Sequence, residues 1–266
     1  MPPKSIWTGS ISFGLVNVPV KLFSAVAKKD IHFHQLHAAD NARLQQKRVC
    51  PADGQEVPYE DVVKGYEISR NRYVVITPEE LAAVDPESTG TIEIEDFVDL
   101  SSIDPIYFEH TYYLAPDKGA EKPYVLLLTA MKNLNKSAIA KVVIRQKQYL
   151  AAIRPIGDVL SLATLLFADE IVDPAELGEL PFTRAELDPR QLAMAEQIID
   201  TQSTDFKADK YHDEYRESLL ELIERKAKGM ETVVQPPLEK KGGEVIDLMS
   251  ALEASLEAAK KKRQSM

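Results

Sequence analysis

Between Trp7 and Leu22 the apolar residues fall at alternate positions and then change phase, a pattern that restricts the fold more than any other in the chain. The first set is Trp7, Ile11, Phe13 and Leu15, and the second is Val16, Val18, Val20 and Leu22. A period of two means strand, with one face buried. The phase changes beside Gly14, where a bulge or bend costs little, and Pro19 suits an edge strand because it donates no ladder hydrogen bond. Further strand candidates lie at 31–33, 73–76, 91–98, 106–114 and 139–153, and so many short strands predict a barrel or sandwich.

Helices are signalled more sparsely. Thr77-Pro78-Glu79-Glu80 is a capping box with proline at the first helical position, followed by Leu81 and Val84, and the helix should end before Pro86. After Pro155 the chain is expected to change character. Asp188-Pro189-Arg190-Gln191 opens a helix with Leu192, Ala195 and Ile199 on one stripe, and Tyr215, Leu219, Leu222, Ile223 and Lys226 mark a second. Residues 229–243, with Pro236-Pro237, Lys240-Lys241 and Gly242-Gly243, read as a linker. Beyond it a short helix carries Ile246, Met249, Leu252 and Leu256, Asp247 can cap its start, and it ends in Lys260 to Arg263. The expected organisation is a strand-rich core over 1–187, a helical arm over 188–228, the linker, and a tail over 244–266.

A net charge of −10 argues against a nucleic-acid partner on its face, because such binding rests on neutralising phosphates with Lys and Arg. The average conceals a strong segregation. Residues 1–50 carry 7 basic and 2 acidic side chains, 51–116 carry 3 and 15, 117–154 carry 8 and 2, and 155–228 carry 8 and 17. The local field, not the total, then selects the partner. A single cysteine, Cys50, excludes an intrachain disulfide and points to a reducing compartment. With no apolar stretch near eighteen residues and no signal peptide, the chain reads as cytoplasmic, with no membrane contact.

No phosphate-binding glycine loop, nucleophile elbow or zinc-protease motif is present, so no catalytic residue and no cofactor is expected. His32, His34 and His37, with Cys50 and Asp53, are acceptable zinc-ligand types. On a strand, however, His37 faces away from His32 and His34, and no second cysteine follows Cys50, so no metal site is expected. The basic segment is more informative. Lys141, Arg145 and Lys147 share parity, so an uninterrupted strand sends all three to one face and Val142 and Ile144 to the other. With Lys132, Lys136 and Arg154 nearby and few bulky aromatics among them, this pattern suits phosphate contact without base readout or stacking. Two other readings stay open: a metal-dependent nuclease or lyase, from the histidines and lysines, and an acidic interaction scaffold, from the net charge.

The run Ile6-Trp7-Thr8-Gly9-Ser10-Ile11-Ser12-Phe13-Gly14-Leu15-Val16-Asn17-Val18-Pro19-Val20-Lys21 closely resembles the opening of the bacterial Ku proteins. Further matches lie at Phe33-His34-Gln35-Leu36-His37, Lys47-Arg48-Val49-Cys50, Lys64-Gly65-Tyr66-Glu67, 165–171 and Tyr211-His212-Asp213-Glu214-Tyr215, so the resemblance spans about 5–230. It implies an α+β fold: a Ku-type β-barrel core with a bridge, a helical C-terminal arm and a short tail. It also implies a homodimeric ring threaded by duplex DNA ends, without sequence specificity. On that reading Arg43, Lys47 and Arg48 join the six basic residues above as DNA contacts, and acidic outer surfaces repel unthreaded DNA. The resemblance further implies a role in non-homologous end joining and recruitment of an ATP-dependent DNA ligase, ligase D, with Ile246, Met249, Leu252 and Leu256 as the docking stripe. Because the match begins at Ile6, it implies that the extra N-terminal domain of eukaryotic relatives is absent. Many relatives carry a second cysteine where this chain has Asp53.

Overall fold

A computed structural model describes residues 4–84, 89–178 and 188–229. The chain divides into two compact units, one ending at Leu177 and the other starting at Gly178. The expected linker and the tail residues Ile246, Met249, Leu252 and Leu256 lie outside the described residues.

The first unit is built on a closed barrel. Strands β1 (Trp7–Phe13) and β2 (Val16–Ser24) pair antiparallel from Trp7↔Leu22 to Phe13↔Val16. The phase change beside Gly14 is therefore a full reversal and not the bulge or bend expected from the sequence. Gly14, at φ +58°, takes the first central position of a two-residue turn, where only glycine is unstrained. After this hairpin come β3 (Lys64–Ser69), β4 (Arg72–Ile76), α1 (Pro78–Val84) and β5 (Thr91–Val98). Next are β6 (Phe108–Pro116), α2 (Glu121–Leu134), β7 (Ser137–Ile144), β8 (Lys147–Ile156) and β9 (Val159–Leu165). The barrel order is β1-β2-β6-β9-β8-β7-β5, and a parallel β1–β5 pairing centred on Ile11↔Ile92 closes it.

Closure alters the reading of Pro19, because β2 has a partner on each side and is not an edge strand. The β2–β6 ladder begins at Val20↔Pro116, and the Pro19 carbonyl accepts from Asp117 N–H at 3.0 Å, so the missing donor falls just past the ladder's end. Inside the barrel, Ile11, Val18, Val20, Leu22, Ile92, Leu114, Ile153, Leu160 and Leu162 are fully buried. Burying each large aliphatic side chain stabilises the fold by about 1.5–3 kcal/mol. Gly9 admits close approach: a Cβ there would lie 2.1 Å from the Gly90 carbonyl oxygen and 2.3 Å from the Trp7 ring.

The capping box forms as the sequence implies. Thr77 Oγ1 accepts from Glu80 N–H at 3.2 Å and the Glu80 carboxylate accepts from Thr77 N–H at 2.9 Å, at the start of α1; Pro86 lies outside the described residues. Three expectations fail. The candidate strand 139–153 is two strands, β7 and β8, joined by a turn at Arg145-Gln146. Residues 31–33 form no strand, and the segment 25–58 is irregular, held by two tight turns. The chain does not change character at Pro155, since β8 runs to Ile156 and β9 follows. Helix α2 has no counterpart among the expected elements.

The second unit contains α3 (Pro189–Gln202) and α4 (Glu214–Ala227). Asp188 caps α3 by accepting from Arg190 N–H at 2.8 Å, and Asp213 caps α4 by accepting from Arg216 N–H at 2.9 Å. Neither helix has a fully buried residue. On α3 only part of the expected stripe is covered: Ala195 is half-buried, together with Met194 and Ile198, while Leu192 and Ile199 are exposed.

Candidate nucleic-acid interface

The main basic segment is delivered by α2 and the β7–β8 hairpin. Tyr124, Leu127, Leu128 and Met131 recur at helical spacing and join the barrel's core cluster, which fixes the rotation of α2 and leaves Lys132 exposed in its last turn. Asn135 ends the helix in the left-handed conformation at φ +50°, and Lys136 N–H donates to the Met131 carbonyl as the chain turns into β7. Along β7 the even positions Ala138, Ala140, Val142 and Ile144 are buried, so Lys141 stands on the opposite face with Ile139 and Val143.

The expectation that Lys141, Arg145 and Lys147 share one strand face is overturned by the hairpin. Arg145 and Gln146, at φ +50° and +67°, are the two central residues of a turn with the type I′ signature. Ile144 then pairs with Lys147, and Lys141 pairs with Leu150. Directly paired residues share a face, so Lys147 lies on the face of Ile144, opposite Lys141. Parity counts faces only while the strand continues, and here it reverses.

The cations also differ in their partners. Lys132 Nζ lies 3.1 Å from Asp158 Oδ1, Lys136 Nζ 2.8 Å from Asp99 Oδ1, and Lys141 Nζ 2.7 Å from Glu95 Oε1. The hydrogen bond that Lys141 donates to Glu95 raises its pKa above the usual lysine value. Lys47 Nζ lies 2.6 Å from Glu56 Oε2, and the Arg48 guanidinium sits 5.2 Å from the centroid of the Tyr59 ring. Arg43, Arg145, Lys147 and Arg154 belong to no ion pair among the described residues.

Aromatic rings stand closer to this segment than the sequence suggested. Lys147 Nζ is 4.9 Å from the centroid of the Tyr149 ring, two residues along the same face. Tyr112 lies within the electrostatic reach of Arg145. Burial chiefly, then Tyr149 and Glu109, raise the Tyr112 phenol pKa, while Arg145 lowers it. The hairpin end therefore sets Lys147 beside Tyr149, while Arg145 acts on Tyr112 electrostatically. Tyr149 was open to sequence reasoning through its parity with Lys147, whereas nothing local ties Tyr112 to them.

Three of the five zinc-ligand types, His37, Cys50 and Asp53, occupy two turns with one bond pattern, and His32 and His34 precede the first in irregular chain. His37 N–H donates to Ala42 O and Asn41 N–H to His37 O, and Cys50 N–H donates to Gln55 O and Gly54 N–H to Cys50 O, all at 2.8–2.9 Å. The carboxylates turn back on their own loops. Asp40 accepts from Ala42 N–H at 2.9 Å and pairs with His37 Nδ1 at 3.0 Å, and Asp53 accepts from Gln55 N–H at 3.0 Å. Among the described residues no three ligating side chains come together, so these donors do not fit a four-ligand zinc site. No helix among the described residues is long and apolar enough to cross a membrane.

A closed seven-strand barrel with helices, carrying its main basic segment on α2, the turn after it and the β7–β8 hairpin, defines the class. The chain belongs to the Ku family: the family model described as the Ku70/Ku80 beta-barrel domain matches residues 12–194. It is similar to the Non-homologous end joining protein Ku of Anaeromyxobacter sp. (strain K), at 50% identity over 97% of this chain and 87% of that protein. The protein of the same name from Archaeoglobus fulgidus is 43% identical, over 97% of this chain and all of its own length. That from Mycobacterium tuberculosis is 42% identical, over 97% of this chain and 96% of its own.

Proposed function

We propose that this chain binds the ends of double-stranded DNA without sequence preference, as a homodimeric ring, in non-homologous end joining. The observation that carries the reading is family membership along nearly the whole chain, with relatives named for that process. The charge pattern supports it, since cations concentrate in 1–50 and 117–154 while acidic residues dominate 51–116 and 155–228. On this reading the nine expected cations supply phosphate contacts, and the protein is a clamp in the cytoplasm or on the nucleoid, with no catalysis of its own.

The dimer has physical support. Every residue of β3 is exposed, and so are four of the five in β4, including the apolar Tyr66, Ile68, Tyr73, Val74 and Val75. A lone two-stranded hairpin is marginal in water, and apolar side chains on it call for a covering surface. A second copy of the chain is that surface in the proposed ring. The dimer is checked by light scattering, and a stable monomer that still binds DNA would refute it.

We also assign the 244–266 tail to recruitment of ATP-dependent DNA ligase D, with Ile246, Met249, Leu252 and Leu256 docking in a groove of the ligase. Deleting 244–266, or changing Leu252 and Leu256 to Asp, should abolish ligase stimulation and spare end binding. Unchanged stimulation would sink the assignment.

A further inference from the structure

The exposed ion pairs divide the expected DNA contacts into two kinds. We propose that Glu95, Asp99 and Asp158 are built-in competitors of DNA phosphate, each occupying one lysine of the candidate interface and so setting the affinity and salt sensitivity of binding. The proposal rests on the DNA-binding reading above.

Glu95 is placed for this role by an irregularity in the sheet. The β5–β7 register runs Ile94↔Ala140 and then Asp96↔Ile139, so Glu95 is the extra residue of a β-bulge. A bulge re-aims the side chain it carries, and here the carboxylate reaches Lys141 at 2.7 Å. Glu93 is the direct register partner of the same lysine. A phosphate approaching Lys141 therefore meets two carboxylates as well as one ammonium. Asp99, just past the end of β5, holds Lys136, and Asp158, in the β8–β9 turn, holds Lys132.

All three lysines are more than a third exposed, as are their partners. Pairs this exposed add little to stability, so a phosphate can displace the carboxylate without disturbing the fold. Arg145, Lys147 and Arg154 carry no such competitor among the described residues. The candidate DNA contacts thus divide into cations ready for phosphate and lysines whose charge is locally neutralised.

The test is a binding titration of a short linear duplex over a salt series, with the full chain and the single variants Glu95→Gln, Asp99→Asn and Asp158→Asn. Each should tighten binding roughly 2- to 5-fold at low salt, the equivalent of about 0.4–1 kcal/mol. Each should also steepen the slope of log affinity against log salt by up to about 0.9. Glu79→Gln, on α1, is the control for a change of net charge, since Glu79 has no cation partner among the described residues. The gain from Glu95→Gln should vanish in a Lys141→Ala background. If the wild type binds but the three variants match Glu79→Gln, or if the gain survives in Lys141→Ala, the competitor role is overturned and the DNA reading stands. A wild type that fails to bind linear duplex overturns both.

Discussion

Changing Tyr124 to Phe removes one oxygen from the point where α2 fastens the barrel. The side chain is buried, and its hydroxyl donates to the Leu114 carbonyl at 2.5 Å and accepts from Leu160 N–H at 2.7 Å. Leu114 and Leu160 face each other at the end of the β6–β9 ladder and are themselves fully buried, so the hydroxyl bridges the last rung. Phenylalanine fills nearly the same volume and leaves a donor and an acceptor out of reach of water. Each buried unsatisfied group costs about 1–3 kcal/mol, and allowing for partial closure of the rung the loss should be roughly 2–4 kcal/mol. Urea unfolding at fixed protein concentration should show a lower midpoint with an unchanged m-value. Burial also raises the Tyr124 pKa above 10.0. A folded-state pKa above the unfolded one gives stability that is full below pH 10.0 and is lost as pH rises through the folded value. The wild type should therefore lose stability above pH 10 more steeply than Tyr124→Phe. A variant within about 0.5 kcal/mol of wild type, with the same alkaline limb, would show that the hydroxyl does not carry the rung.

Arg145→Ala and Lys147→Ala should each weaken binding to all duplex sequences alike and lower the salt slope by about 0.9, whereas an unchanged slope would make the hairpin end a solvated surface. Gly9→Ala should cost roughly 1–3 kcal/mol, because Gly90 and Trp7 must move to admit a methyl group, and a melting temperature equal to wild type would contradict that packing. Elemental analysis of purified protein should find no stoichiometric zinc; one zinc per chain, lost on Cys50→Ser, would overturn the assignment of the two turns as self-sufficient.

What the sequence made legible was local. The alternation from Trp7 to Leu22, the Thr77 capping box and the Asp188 cap each depend on neighbours within a few residues, and each produces the expected kind of element. Helix α2 escaped because Val125 and Leu126 sit between its core-facing Tyr124 and Leu127, which blurs the helical period, and its N-cap is Ala120 in place of a side-chain oxygen. The β7–β8 turn escaped because Arg145 and Gln146 adopt positive φ without the Asn or Gly that marks such turns. Of the candidate interface, the basic residues can be named from the sequence but their ion-pair partners cannot. Asp99 lies 37 residues from Lys136 and Asp158 lies 26 from Lys132, and it is the β5–β7 pairing and the packing of α2 against β8 that bring them together.

Entry of DNA from an end is checked by competition between linear and covalently closed circular duplex of the same sequence. At matched nucleotide concentration and salt, the linear form should compete for the protein and the closed circle should not, with linearisation of the circle restoring competition. Equal competition by closed circles would mean that the basic surface binds duplex laterally, and the threaded ring would be contradicted.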